Sequence, residues 1–112
     1  MIVFFFVIIG VKINFFTLIL ILFSIIIVSY NTKKEFIETV NSAIQQVFKE
    51  KEIIIIDGKS KDGTAKIIKK YKKYFSTVVI EKDEGIFDAM NKGVKIANGE
   101  WIFFLNSGAI FN

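Results

Sequence analysis

A chain of 112 residues, 53% of them apolar, has room for one small domain with a thin stability margin. It has no cysteine and no histidine, which excludes a disulfide framework, a Cys- or His-based metal site and an imidazole base, so acid, base or metal chemistry falls to carboxylates. The net charge of +4 comes from fifteen lysines and no arginine against eleven acids, and the lack of arginine forks argues against a nucleic-acid reader.

The chain opens on "MIVFFFVIIGVKINFFTLILILF". About 20 helical residues cross the roughly 30 Å of a bilayer core, so this stretch is long enough to span one. Lys12 and Asn14 interrupt it near the middle, it has no basic n-region or cleavage site, and no linker separates it from the strand expected at residue 24. Residues 1–22 are therefore read either as an apolar N-terminal extension packing on the domain or as a membrane segment, and residues 23–112 as the domain.

From residue 24 the pattern changes to short β-branched runs alternating with amphipathic stretches. "SIIIV" (24–28) predicts a strand buried on both faces, as in a parallel sheet. Thr32-Lys33-Lys34-Glu35 has capping-box spacing, and Phe36, Val40, Ile44 and Val47 make the apolar stripe of a first helix. "EIIII" (52–56) predicts a second strand. A second helix is expected over about 64–75, with Ile67, Ile68, Tyr71 and Phe75 inward and its lysines in solvent. "TVVI" (77–80) predicts a third strand, residues 86–97 a third helix ending near Gly99, and "WIFFL" (101–105) a fourth strand. The alternation βαβαβαβ implies an α/β fold with right-handed crossovers and a mostly parallel sheet. A sheet ending at that fourth strand leaves an edge open to association.

In such a sheet, ligands bind outside the carboxyl ends of the strands. The residues there are Ser29-Tyr30-Asn31 after the first strand, and Asp57 with Ser60, Asp62, Gly63 and Thr64 after the second. Glu81, Asp83 and Gly85 follow the third, and Asn106-Ser107-Gly108 the fourth. Each has a plain alternative: Ser60 or Asp62 as a helix cap, Gly63 as a turn residue, Tyr30 as a packing residue. Asp57, directly after four isoleucines, needs hydrogen-bond donors, and the N–H edge of a base supplies them. Asp88 and Asn91 share one face near the start of the third helix, where a solvated face is the alternative. Gly58-Lys59-Ser60 ends like a P-loop, but the position five residues before Gly58 is Ile53, inside the strand, so no phosphate-wrapping loop forms. No GxGxxG comes after the first strand, which argues against a dinucleotide oxidoreductase.

Taken in order, "SIIIVSYN", "EIIIIDGKSKDGT" and "EKDEGIFDAMNKGVKIANGEWIFFLNSG" resemble the N-terminal half of a family 2 glycosyltransferase with the Rossmann-like GT-A fold, over roughly four fifths of the chain. The resemblance implies transfer of a sugar from a nucleotide donor, commonly a UDP-sugar, to a glycan or other acceptor, with cytoplasmic or inner-membrane-face location. It implies a nucleotide pocket formed by Ser29, Tyr30, Asn31, Asp57, Asp83, Gly85, Asp88, Asn91, Asn106 and Ser107, with Asp57 meeting the base. Lys59 stands where such turns often carry a small residue. The family uses Mg²⁺ or Mn²⁺ held by a DxD-type motif, but Ala109 stands where the last metal-binding Asp is expected, and a methyl group offers the ion no oxygen. The family continues into an acceptor-binding half with the catalytic base, so the expectation is a donor-binding part inactive alone, with no catalytic residue assigned. The alternative is a non-catalytic nucleotide-binding or membrane-associated remnant.

Overall fold

The computed structural model describes residues 4–8, 23–46 and 50–107. Four strands run parallel: β2 (Phe23–Ser29), β3 (Lys51–Asp57), β4 (Thr77–Ile80) and β5 (Trp101–Asn106). With β1 (Phe4–Ile8) they form one sheet in the order β1-β5-β2-β3-β4. The connections carry helices α1 (Lys33–Ile44), α2 (Thr64–Lys70) and α3 (Ile86–Ile96). Strand β1 pairs antiparallel with β5, Phe4 opposite Leu105 and Ile8 opposite Trp101, so the edge expected to lie open at β5 is covered. The remainder of the N-terminal apolar stretch, and with it the membrane reading, lies outside the described residues. No helix among those residues is long and apolar enough to cross a membrane.

The unbroken isoleucine runs reflect burial on both faces of the sheet. Ile25, Ile27, Ile53 and Ile55 point to one side, where Phe36 and Val40 of α1 and Ile67 and Ile68 of α2 cover them. Ile26, Val28, Ile54 and Ile56 point to the other, under Ala89 of α3. Helix α3 lies close to the sheet because it presents small residues: a Cβ on Gly93 would stand 2.5 Å from Ile26 Cγ2. A side chain there would have to displace a fully buried isoleucine.

Two local expectations are corrected. Thr32 precedes α1 but makes no side-chain cap, and its Oγ1 is buried without a partner among the described residues. The start of α1 is instead tied from outside the helix: Asp62 Oδ2, from the β3–α2 turn, takes the Lys33 N–H at 2.9 Å. At the other end of α1, Lys51 Nζ reaches from β3 to the carbonyls of Ile44 and Gln46, both at 2.7 Å, supplying the cation that the last turn lacks. Val47, expected on the stripe of α1, lies outside the described residues. Helix α2 stops at Lys70 and continues only as a 3₁₀ turn over Lys72–Tyr74, with Tyr71 and Phe75 half-buried against the core.

At the amino end of the sheet, Glu52 accepts from Ser24 Oγ and from the Asn98 N–H, each at 2.6 Å. Ser24 Oγ in turn accepts from the Gly99 N–H at 2.8 Å. This network fixes the loop between α3 and β5. Ser29 lies opposite Asp57, Asp57 opposite Ile80, and Val28 opposite Asn106, so the carboxyl ends of the four parallel strands stop level and their polar successors share one rim.

Candidate functional site

The rim begins with Asp57, the last residue of β3 and 0% exposed. Its Oδ1 accepts from Ser29 Oγ at 2.7 Å and Ser60 Oγ at 2.6 Å, and its Oδ2 from the Ser60 N–H at 2.8 Å. A buried carboxylate is tolerable when donors surround it, and here the chain supplies them. Asp57 thus ties the turn after β3 to the end of β2. The Gly58 N–H donates to the Ser29 carbonyl at 2.9 Å, the Asn31 N–H to Ser60 Oγ at 2.8 Å, and the Lys61 N–H to Asn31 Oδ1 at 2.8 Å. Asp62 accepts from the Thr64 hydroxyl and the Lys33 N–H, bonds that hold its carboxyl below the usual range. The stretch "DGKSKDGT" is therefore a turn stapled by its own two carboxylates to the β2–α1 loop. Asn31 and Lys59 take positive φ, 51° and 67°. Asn tolerates that region; for Lys it is unusual, which is the physical reason a small residue suits position 59.

The stapled turn, the 81–85 loop and the start of α3 enclose two joined cavities. One, of about 340 Å³, has Ser29, Tyr30, Asp83, Gly85, Asn106 and Ser107 on its wall, with Ile86 and Ala89 of α3 as its apolar side. The second, of about 570 Å³, lies between Tyr30, Gly58 and Asp83 and is bordered by Lys59, Lys61 and Lys82. Tyr30, 58% exposed, stands at their junction with Asp83 and Gly85.

Asp83 is the carboxylate turned toward this space. Its Oδ1 accepts from the Gly85 N–H at 3.0 Å. Its Oδ2 lies 2.9 Å from where a Cβ on Gly58 would be, and a Tyr30 ring carbon lies 3.1 Å from the same point. Gly58 is what lets Asp83 and Tyr30 come together, and a side chain at 58 would separate them. Two hydroxyls of residues in the wall of the smaller cavity, Thr32 Oγ1 and Ser107 Oγ, are buried with no partner among the described residues.

Of the residues picked out in the sequence, Ser29, Tyr30, Asp83, Gly85, Asn106 and Ser107 are brought together on the cavity walls. Asn31 stands behind the turn, bonded to Ser60 and Lys61. Asp57 is enclosed and already holds its donors. Asp88 accepts from the Glu84 N–H at 2.9 Å and lies 3.6 Å from Lys92 Nζ, off the cavity walls, and Asn91 is exposed on α3, also off them. Sequence reasoning missed Gly58, Lys61, Lys82 and Thr32. Gly58 had a signal, a glycine directly after a buried carboxylate at a strand end; the lysines had none beyond proximity to the turn.

For a divalent cation the donor set is poor. Asn106 and Ser107 bring neutral oxygens to the end of β5, and no group of three carboxylates able to hold an ion occurs among the described residues. Ala109 lies outside those residues.

Comparison with known proteins gives this geometry a context. The family model described as Glycosyl transferase family 2 matches residues 24–111. The Escherichia coli UDP-Glc:alpha-D-GlcNAc-diphosphoundecaprenol beta-1,3-glucosyltransferase WfaP is 44% identical over 89 residues, covering 77% of this chain and 35% of that protein. The crystal structure of S. aureus TarS 1–349 in complex with UDP-GlcNAc superposes with a TM-score of 0.70 at 32% identity, covering 78% of this chain and 26% of that one. A mannosyltransferase from Pyrobaculum calidifontis, in complex with GDP-Man and Mn²⁺, shares the fold with a TM-score of 0.74 at 22% identity, covering 80% and 28% of the two chains. The chain thus spans about a third or less of the length of these relatives.

Proposed function

The chain belongs to glycosyl transferase family 2, and from that premise we propose that the joined cavities take the nucleotide of a nucleotide-sugar donor, a uridine diphosphate sugar by class. The protein then serves the donor side of sugar transfer to a glycan or lipid-linked acceptor. The observation that carries the reading is the meeting of Tyr30 and the free Asp83 oxygen over Gly58. An exposed aromatic ring beside a cavity is a stacking platform for a base. A carboxylate oxygen held at its edge accepts the ring N–H of a uracil, and Lys61 and Lys82 border the same space with donors for carbonyl oxygens.

In this reading the larger cavity takes the base, and the smaller one, with Ser29, Asn106 and Ser107, takes ribose and the start of the diphosphate. The names of the relatives support the uridine class: the E. coli protein is named for UDP-Glc, and TarS was crystallised with UDP-GlcNAc. A divalent ion, when bound, would offset diphosphate charge, but the described residues do not offer it a fitting set of carboxylates. Transfer requires a carboxylate to deprotonate the acceptor hydroxyl, and no described residue is given that part.

Isothermal titration of the chain with UDP tests the reading. Saturable binding is expected, weakened about tenfold or more in Asp83→Ala, the loss of a hydrogen bond to a charged group. Heat that never saturates at millimolar UDP, or equal affinity for UDP and inorganic pyrophosphate, would refute a base-reading site.

A further inference from the structure

Asp83 sits in a short exposed connection between β4 and α3, where a carboxylate would swing freely unless its neighbours were fixed. They are fixed on both sides by α3. Lys92 Nζ donates to the carbonyl of Lys82, the residue before Asp83, at 3.0 Å, and pairs with Glu81 at 3.0 Å. Asp88 Oδ2 accepts from the N–H of Glu84, the residue after Asp83, at 2.9 Å. Lys92 and Asp88 lie one helical turn apart and face each other at 3.6 Å. Gly85 closes the loop at φ 112°, ψ −175°, a conformation open essentially to glycine, and its N–H holds Asp83 Oδ1. Between these ties only Oδ2 is left, aimed over Gly58.

An exposed ion pair on one helix contributes little by itself. This one differs because each partner also makes a charge-assisted bond to a peptide group flanking Asp83. The Glu84 N–H draws the Asp88 carboxyl below its usual range, and Glu81 raises the Lys92 ammonium above its own. Both side chains are thus in the charged form that the ties require at neutral pH.

From this geometry we infer that Lys92, acting with Asp88, is a positioning residue that fixes the Asp83 carboxylate for recognition of the donor's base, an inference that rests on the nucleotide-site reading above. Neither Lys92 nor Asp88 touches the cavities; their effect passes through the peptide groups on either side of Asp83.

A double-mutant cycle on the full chain tests it. UDP affinity is measured by calorimetry for the wild type, Lys92→Met, Asp83→Ala and the double variant. Lys92→Met is expected to weaken UDP about fivefold to tenfold and to have no further effect once Asp83 is alanine. Lys92→Arg, which keeps a cation with several donors, is expected to recover part of the loss. Unchanged affinity in Lys92→Met, or losses that add fully in the double variant, would overturn the inference, because a general structural role acts in either background. Amide exchange supplies a readout independent of nucleotide. The Glu84 N–H is expected to be protected in the wild type and to lose protection in Lys92→Met and Asp88→Asn while the β3 amides keep theirs; an unprotected Glu84 in the wild type overturns the clamp. If the wild type binds no UDP, the nucleotide reading fails and the recognition role with it, and the exchange result alone then decides whether the clamp exists.

Discussion

Replacing Asp57 with alanine separates a carboxylate that holds the fold from one that holds the ligand. The residue is fully buried, and its removal strands three donors at once: Ser29 Oγ, Ser60 Oγ and the Ser60 N–H. A buried donor left unpaired costs about 1–3 kcal/mol, and the half-buried Ser60 recovers part of that through hydroxyl rotation and entering water, so a net loss of about 3–5 kcal/mol is expected. Against a total of about 5–15 kcal/mol for a domain, that is a large share, and it lowers the thermal midpoint by roughly 10–20 °C. The assay pairs thermal unfolding monitored by circular dichroism with UDP titration at a temperature where the variant is still folded. Stability is expected to fall by the stated amount while the folded fraction binds UDP within about threefold of wild type. A stability loss under about 1 kcal/mol together with a loss of UDP affinity above about tenfold would refute the reasoning, because it would make Asp57 a ligand group as the sequence alone suggested.

Three further outcomes are expected. Burial pushes the Glu52 carboxyl up, but the bonds from Ser24, Asn98 and Ser76 outweigh it and hold it below its usual 4.5. Its contribution to stability is therefore complete above about pH 4.5 and lost as pH falls through the lower folded value. The gap in urea midpoint between wild type and Glu52→Gln should narrow between pH 7 and pH 3, and a constant gap would contradict this. Lys59→Gly relieves a positive φ and should stabilise the chain by about 0.5–1 kcal/mol in urea unfolding, with no gain counting against strain at that turn. Gly93→Ala gains about 1 kcal/mol of helix propensity but drives a Cβ into Ile26, so a net loss of about 1–2 kcal/mol is expected; a more stable variant would show that α3 shifts freely on the sheet.

The fold was legible in the sequence where burial dictates it. An isoleucine run without alternation has one explanation, a strand covered on both faces, and the strands duly appear at 23–29 and 51–57. The rim could be placed from topology, since parallel strands end together. What was illegible depended on long-range partners. The spacing of Thr32 and Glu35 fits a capping box locally, but Thr32 makes no side-chain cap, and a carboxylate thirty positions away ties the helix start through the Lys33 N–H instead. The covering of β5 by β1 joins residues about a hundred positions apart, and nothing in "FFFVI" distinguishes that strand from any other apolar run. Asp57 was read as ligand-facing because its need for donors was visible and their source was not. Ser29, the residue opposite in the neighbouring strand, supplies one of them.

The carboxylates around the rim therefore divide by what surrounds them. Asp57 and Asp62 each hold donors from the β3–α2 turn and the β2–α1 segment, so they fix the floor and the Tyr30 side of the cavities. Asp88 holds the Glu84 N–H and faces Lys92, fixing the opposite wall. Among the described residues Asp83 keeps one oxygen uncommitted, and it is the one placed against the position where Gly58 lacks a side chain. Recognition of a ligand requires such an oxygen to be both free and immobile, which a single loop carboxylate cannot achieve alone. Among the described residues, three bound carboxylates and one missing Cβ are the means by which this rim holds the free oxygen of Asp83 at the cavities.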